Sequence, residues 1–120
     1  MVFKIRIDVD TSLLDAKIKN MEAKLRQRLV NALELRGEVA NTMMRWLAPY
    51  LTGYLYEHID YFVNPEELFV EFHADAPYAA FPEFGTVKQR AQPYFRPPFW
   101  VAYFKLLEDI KNVIEETWNE

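Results

Sequence analysis

Residues 57–73 read EHIDYFVNPEELFVEFH, and the reading of this stretch decides the fold. Two runs of alternating character, 57–63 and 68–73, flank the tetrad Asn64-Pro65-Glu66-Glu67. Successive side chains of a strand point to opposite faces, and Asn and Pro favour turns, so the stretch predicts an antiparallel hairpin. Symmetry about the tetrad would pair Val63 with Leu68, Tyr61 with Val70 and Ile59 with Phe72, an apolar face. The other face would pair Asp60 with Glu71 and His58 with His73.

The flanking sequence supplies the partners for this hairpin. Residues 2–9 alternate between Phe3, Ile5, Ile7 and Val9 on one side and Lys4, Arg6 and Asp8 on the other, which predicts a further half-buried strand. Asp10-Thr11-Ser12 offers N-cap chemistry, and Asp15 suits the positive end of a helix dipole. Leu14, Ile18, Met21, Leu25, Leu29, Ala32, Val39, Met43 and Leu47 then recur mostly three or four apart, with no proline before Pro49. That spacing predicts a helix of roughly 35 residues, about 50 Å long. Gly37 is its weak point and the place for a bend. Pro49 and Gly53 end it. A helix this long is not covered on all sides by a chain of 120 residues, so part of its stripe is expected to face another subunit or the C-terminal helix.

Residues 76–98 are rich in proline and aromatics and predict a loop with anchored ends and an exposed polar middle. The last element, from about Pro98 to Thr117, carries a stripe of Phe99, Tyr103, Leu106, Leu107, Ile110, Val113 and Ile114. The order is strand, long helix, hairpin, loop, helix. One domain spans residues 1–120: an α+β fold in which a long N-terminal helix and a C-terminal helix pack on a small antiparallel sheet, with an extended loop anchored by proline and aromatics.

Composition bounds what this domain does. Hydrophobic residues make up 51%, an ordinary globular share. The net charge of −4 argues against a cationic surface for nucleic-acid phosphates. With no cysteine there is neither disulfide nor thiolate metal site. No run of apolar residues is long enough for a membrane span or a signal peptide, which leads to the expectation of a cytoplasmic, soluble chain. The single serine, Ser12, and three scattered glycines give no support to a nucleophilic or nucleotide-dependent enzyme. His58, Asp60, Glu71 and His73 would share one hairpin face and have the chemistry to ligate a divalent ion, although such a face is ordinarily just solvated. Charge is segregated. Residues 11–45 carry seven Lys/Arg against four Asp/Glu, residues 57–84 carry seven Asp/Glu and no Lys/Arg, and residues 85–97 carry Lys88, Arg90 and Arg96 with no acid. This pattern suits a chain that stacks one charged face on a different one.

Three further stretches carry a resemblance. They are Ala48-Pro49 with Leu51-Thr52-Gly53-Tyr54-Leu55, then Ala76-Pro77-Tyr78-Ala79 with Phe81-Pro82-Glu83-Phe84-Gly85-Thr86, then Ala91-Gln92-Pro93-Tyr94-Phe95-Arg96-Pro97. Together they resemble the head–tail joining (neck, or tail-completion) proteins of lambda-like tailed bacteriophages. The recurring pattern there is P-x-x-T-G-x-L, a hairpin, Y-A-x-x-x-E-F-G-T, then Q-P-F-x-R-P before a C-terminal helix. The likeness spans about residues 48–99. It departs where His58 stands near the serine that commonly follows T-G-x-L, and where Pro98-Phe99-Trp100 replaces a small residue after R-P.

The resemblance implies a non-enzymatic virion structural protein without cofactor or metal. Copies of it would form a ring in the neck of a tailed virus or prophage, joining the portal side of the head to the tail. Its partners would be itself and other connector and tail proteins, with no membrane and no sequence-specific nucleic acid. It would reside in the virion, and in the host cytoplasm during assembly. The segment Thr86-Val87-Lys88-Gln89-Arg90-Ala91-Gln92 would be the interaction loop. Its anchors would be Glu83, Phe84, Gly85, Pro93, Tyr94, Phe95, Arg96 and Pro97. Gly85 is expected to take a positive φ, Glu83 and Arg96 to close the loop base as a bidentate pair, and Phe84, Tyr94 and Phe95 to pin its ends into the core. The alternative is a small metal- or ligand-binding module built on the His58, Asp60, Glu71 and His73 face, or a dimeric interaction module paired through the long helix.

Overall fold

Strand β1 (Val2–Arg6) lies at one edge of a three-stranded antiparallel sheet, with β2 (Ile59–Asn64) at the other edge and β3 (Phe69–Ala74) between them. A computed structural model describes residues 1–9, 21–49, 53–76, 79–85 and 90–119. The expected cap Asp10-Thr11-Ser12 and the apolar positions Leu14 and Ile18 lie outside the described residues. The long helix, α1 (Glu22–Leu47), and the C-terminal helix, α4 (Arg96–Trp118), pack side by side on one face of the sheet. Two short helices not foreseen in the sequence, α2 (Tyr54–Glu57) and α3 (Ala80–Phe84), flank the hairpin. The fold is α+β, as expected.

The hairpin forms with the expected faces but not the expected register. Ile59 pairs with Ala74, Tyr61 with Phe72 and Val63 with Val70, a slip of two residues from the symmetric reading. The turn is the cause. Asn64 Oδ1 accepts the amides of Glu66 and Glu67 at 2.9 and 2.8 Å, so Asn64 ends β2 and caps the turn instead of sitting inside it. The turn then runs on to Leu68, which takes a left-handed φ of 57° and buries its side chain. A shift of two keeps every side chain on its own face, so the apolar face survives.

That face carries Phe3, Ile5, Val70, Phe72, Ile59 and Val63 against the two helices. The Phe3 ring stands edge-on to Phe95 and Phe99, with centroids 5.0 and 5.1 Å away, and Phe99 meets Phe72 in the same way at 6.0 Å. Such pairs add about 0.5–1.5 kcal/mol each beyond the area they bury, and here they fasten α4 to β1 and β3. The helices run antiparallel. Asp109 takes a two-pronged ion pair from Arg36, at 2.6 and 2.9 Å, and Arg28 Nη1 donates to the Thr117 hydroxyl at 2.9 Å. The hydrogen bond to Asp109 holds the Arg36 pKa above its ordinary value, against the opposing effect of burial.

Gly37 does not break α1, which runs through it. A methyl group there would stand 2.7 and 2.9 Å from the Tyr61 ring and 3.2 Å from Val70, so the glycine lets the helix backbone lie down on β2 and β3. This contact also redirects the helix's apolar faces. Leu25, Leu29 and Ala32 are buried as expected, but the buried face continues through Leu33, Gly37, Ala40, Asn41 and Met44. Val39, Met43 and Leu47, read from the sequence as part of the stripe, are exposed, as is Leu35. On α4, Phe99 and Leu106 are buried and Tyr103, Ile110 and Val113 half-buried, while Leu107 and Ile114 face outward. Among the described residues, no helix is long and apolar enough to cross a membrane.

Candidate functional site

A single carboxylate organises the region that the motif residues share. Helix α3 turns Glu83 inward, where the side chain is fully buried. Its Oε2 accepts the amides of Tyr94 and Phe95, both at 2.8 Å. Its Oε1 accepts the Arg96 amide at 2.9 Å and Arg96 Nε at 2.8 Å. The sequence explains this arrangement. A helix leaves its first amides without partners, and no side chain of the flanking residue caps α4. Pro97 and Pro98 have no amide to satisfy. The donors left at the start of α4 are therefore those of residues 94–96, and Glu83 takes all three. A buried negative charge also sits well at the positive end of the helix dipole.

The ionised form is the one this geometry holds. Burial pushes the Glu83 pKa up, but the amides of Phe95, Arg96 and Tyr94 and the Arg96 guanidinium outweigh burial and set it below its ordinary value. The contact with Arg96 is not the bidentate fork expected. Only Nε reaches the carboxylate; Nη2 donates to the Glu83 carbonyl at 3.3 Å. The backbone amides already occupy the positions that a second guanidinium nitrogen would need.

The remaining anchors sort by side. Tyr94 and Phe95 are fully buried, and the Tyr94 hydroxyl donates to the Ala79 carbonyl at 2.7 Å. Gly85 has the expected positive φ, 78°, and its amide closes the turn on the Phe81 carbonyl at 2.8 Å. The Gln92 amide donates to the Pro82 carbonyl at 2.7 Å, so the two ends of the segment meet. Phe84 does not enter the core: it is 55% exposed, with the Arg96 guanidinium 4.5 Å above its ring. Neighbours on a helix point in different directions, and in this short helix the inward place belongs to Glu83. Pro93 and Pro97 are exposed. Of the expected interaction loop, Thr86, Val87, Lys88 and Gln89 lie outside the described residues; Arg90, Ala91 and Gln92 are exposed.

The histidine–carboxylate face is not assembled. Helix α2 draws His58 out of the strand: its ring stacks on Tyr54 at 3.9 Å and its Nδ1–H donates to the Tyr54 carbonyl at 2.7 Å. Asp60 accepts the Tyr61 amide at 2.8 Å. His73 donates to Glu71 at 3.1 Å, and Lys4 lies 3.7 Å from the same carboxylate, where a cation is already present. Among the described residues, no group of three or more His, Asp or Glu is placed to hold a metal ion. Adding zinc should leave the melting temperature unchanged. A rise of several degrees would point to ligands that this arrangement does not bring together.

The sequence led to the expectation that part of the long helix's stripe faces another subunit or the C-terminal helix, but did not say which residues stay exposed. Trp46 is 83% exposed and Phe104 60%, and Leu35, Val39, Leu47, Trp100 and Val101 are exposed beside them. The signal was present in the heptad-like spacing of Leu35, Val39 and Trp46, but one helix examined alone does not say which of two apolar faces meets the sheet.

Comparison with known proteins adds no neighbour: no family model, no curated protein and no solved structure matches the chain.

Proposed function

We propose that the chain is a non-enzymatic structural subunit of a tailed virus or prophage, assembling as a ring in the neck and joining the head to the tail. The observation that carries this reading is the Glu83 clamp. The E-F-G-T and Q-P-x-x-R-P stretches, separated in sequence, form one unit that closes the base of the segment 86–92. A buried, fully satisfied base holds the ends of a basic segment at a fixed place, as a docking element requires. The hairpin, with five Asp/Glu and no Lys/Arg over residues 57–74, supplies a complementary surface on the next copy, where Glu67 and Glu71 also face Arg6 and Lys4 of β1. A contact between unlike faces closes into a ring when the rotation permits.

Quantitative mass spectrometry of purified particles tests the reading. The chain should be present at a low, fixed copy number, far below the major capsid protein. Its absence from intact particles would overturn the proposal. Reversing charge in Lys88→Glu/Arg90→Glu should block joining of heads to tails while leaving the melting temperature of the isolated chain unchanged. Normal particles from that variant would remove the segment from the joining contact.

A further inference from the structure

The exposed side of α1 has the pattern of a helix seam. Leu35, Val39, Thr42 and Trp46 follow one another at spacings of four, three and four, and all are exposed. Alternating spacings of three and four place residues along one line of a helix that meets another helix. Toward the N-terminal end the same line becomes polar, with Arg28 and Asn31. The apolar part therefore runs from Leu35 to Trp46, about 17 Å of helix at 1.5 Å per residue. Met43 and Leu47 widen it, and Trp100, Val101 and Phe104 of α4 extend it sideways. Val39 and Met43 of α1 and Val101 of α4, together with Arg36 and Lys105, line one shallow groove between the helices, which joins the α1 residues to Val101.

Two observations say what covers it. The first is area. The fractional exposures of these residues, at ordinary side-chain sizes, amount to roughly 800 Å², the upper limit of what one copy can bury here and equal to the share each partner contributes to a standard stable interface. A monomer rarely leaves that much apolar surface in one patch. The second is charge. Glu38 and Arg45 stand seven residues apart on the same flank of the seam; Arg45 is half-buried there, its Nε donating to the Tyr56 carbonyl at 3.1 Å and its guanidinium lying over the Tyr56 ring. Residues at that flanking position of two antiparallel helices face each other. In a parallel pair each would face the opposite flank, where the residue set against Glu38 is Met43, which carries no charge. Only the antiparallel arrangement matches opposite charges, and it does so twice by symmetry.

We propose that α1 docks on α1 of a second copy of this chain, antiparallel and about a two-fold axis near residues 40–41. Leu35 of one copy then lies against Trp46 of the other, Val39 against Thr42, and Glu38 against Arg45. The contact uses a surface separate from segment 86–92 and does not depend on the neck reading.

Sedimentation equilibrium of the full chain over a concentration series tests it, with three variants. The wild-type chain should sediment as a dimer at micromolar concentration. Val39→Glu places a charge in the seam at an already exposed position, and should give a monomer with an unchanged circular dichroism spectrum and melting temperature. Glu38→Lys and Arg45→Glu each turn two attractive pairs repulsive, and each should raise the dimer dissociation constant about tenfold. The double variant should bring it back toward wild type. A wild-type chain that stays monomeric at 100-fold higher concentration overturns the proposal. So does a dimer that Val39→Glu leaves intact, or a double variant no tighter than the two singles. A closed assembly larger than a dimer that Val39→Glu dissolves would assign the face to a different symmetry and also overturn the two-fold contact. None of these outcomes bears on whether the chain is found in virus particles.

Discussion

Glu83→Ala should lower the stability of the folded chain by about 3–5 kcal/mol, the largest loss expected from any single polar side chain here. The substitution removes the carboxylate that accepts the amides of Tyr94, Phe95 and Arg96 and that pairs with the Arg96 guanidinium. Each buried amide left without an acceptor costs about 1–3 kcal/mol, and α4 loses its cap at the same time. Against a total stability of the order of 5–15 kcal/mol, a melting temperature lower by about 10–20 °C is expected. Glu83→Gln keeps the shape and one acceptor oxygen but turns an amide NH2 toward donors, so it should fall between alanine and wild type.

The same residue sets an acid limb. The Glu83 pKa is lower in the folded chain than its ordinary 4.5. The folded state therefore binds its proton less readily than the unfolded state does. The stabilisation is present in full above pH 4.5 and is lost as the pH falls through that value toward the lower folded pKa. Urea unfolding of wild type and Glu83→Gln across pH 3–7 should show a stability gap that is constant at neutral pH and narrows in acid. A gap independent of pH would mean that the charge on Glu83 is not what holds the clamp.

The second large effect is expected at Gly37. The Cβ of any other residue would approach the Tyr61 ring to 2.7 Å and Val70 to 3.2 Å. Tyr61 and Val70 are packed on the core face of the sheet, so α1 would have to lift from the strands. Gly37→Val should cost about 3 kcal/mol, at the upper end of overpacking penalties. Gly37→Ala should cost less, because alanine recovers about 1 kcal/mol of helix propensity. Chemical denaturation of both variants gives the ordering; if alanine stabilised the chain, the close approach at Gly37 would be wrong. Tyr61 reports on the same contact. Burial, with Glu34, Glu38 and Asp60 near it, raises its pKa, so a valine that lifts the helix should bring the phenol's titration back toward its ordinary value.

Reading the chain as a string located its elements well and their contacts unevenly. The hairpin was legible because alternation reports strand faces, yet its register was not, because the turn depended on Asn64 capping backbone amides. Two helices of four and five residues were missed, since they contain too few residues to show a period. The slip in register and the short helix at Tyr54–Glu57 together dismantled the histidine–carboxylate face: the slip set Asp60 opposite His73 and the His58 carbonyl on the Asp75 amide, and the helix turned the His58 ring onto Tyr54. Glu83 and Arg96 were paired correctly across 13 residues of sequence, but the amides that dominate the clamp carry no sequence signature, since every non-proline residue has one.

Periodicity, prolines and the placement of charge are properties of the chain itself, and they determined the types and order of the longer elements and the α+β class. They act between neighbours a few residues apart, so a string of residues contains them. Which face of α1 is buried was decided only in the assembled fold. The helix has apolar residues on two sides, and Gly37 allows one of them to reach the sheet while Leu35, Val39 and Trp46 are left outside. That outcome depends on which element lies opposite each face, and contacts of this kind exist only once the chain has folded.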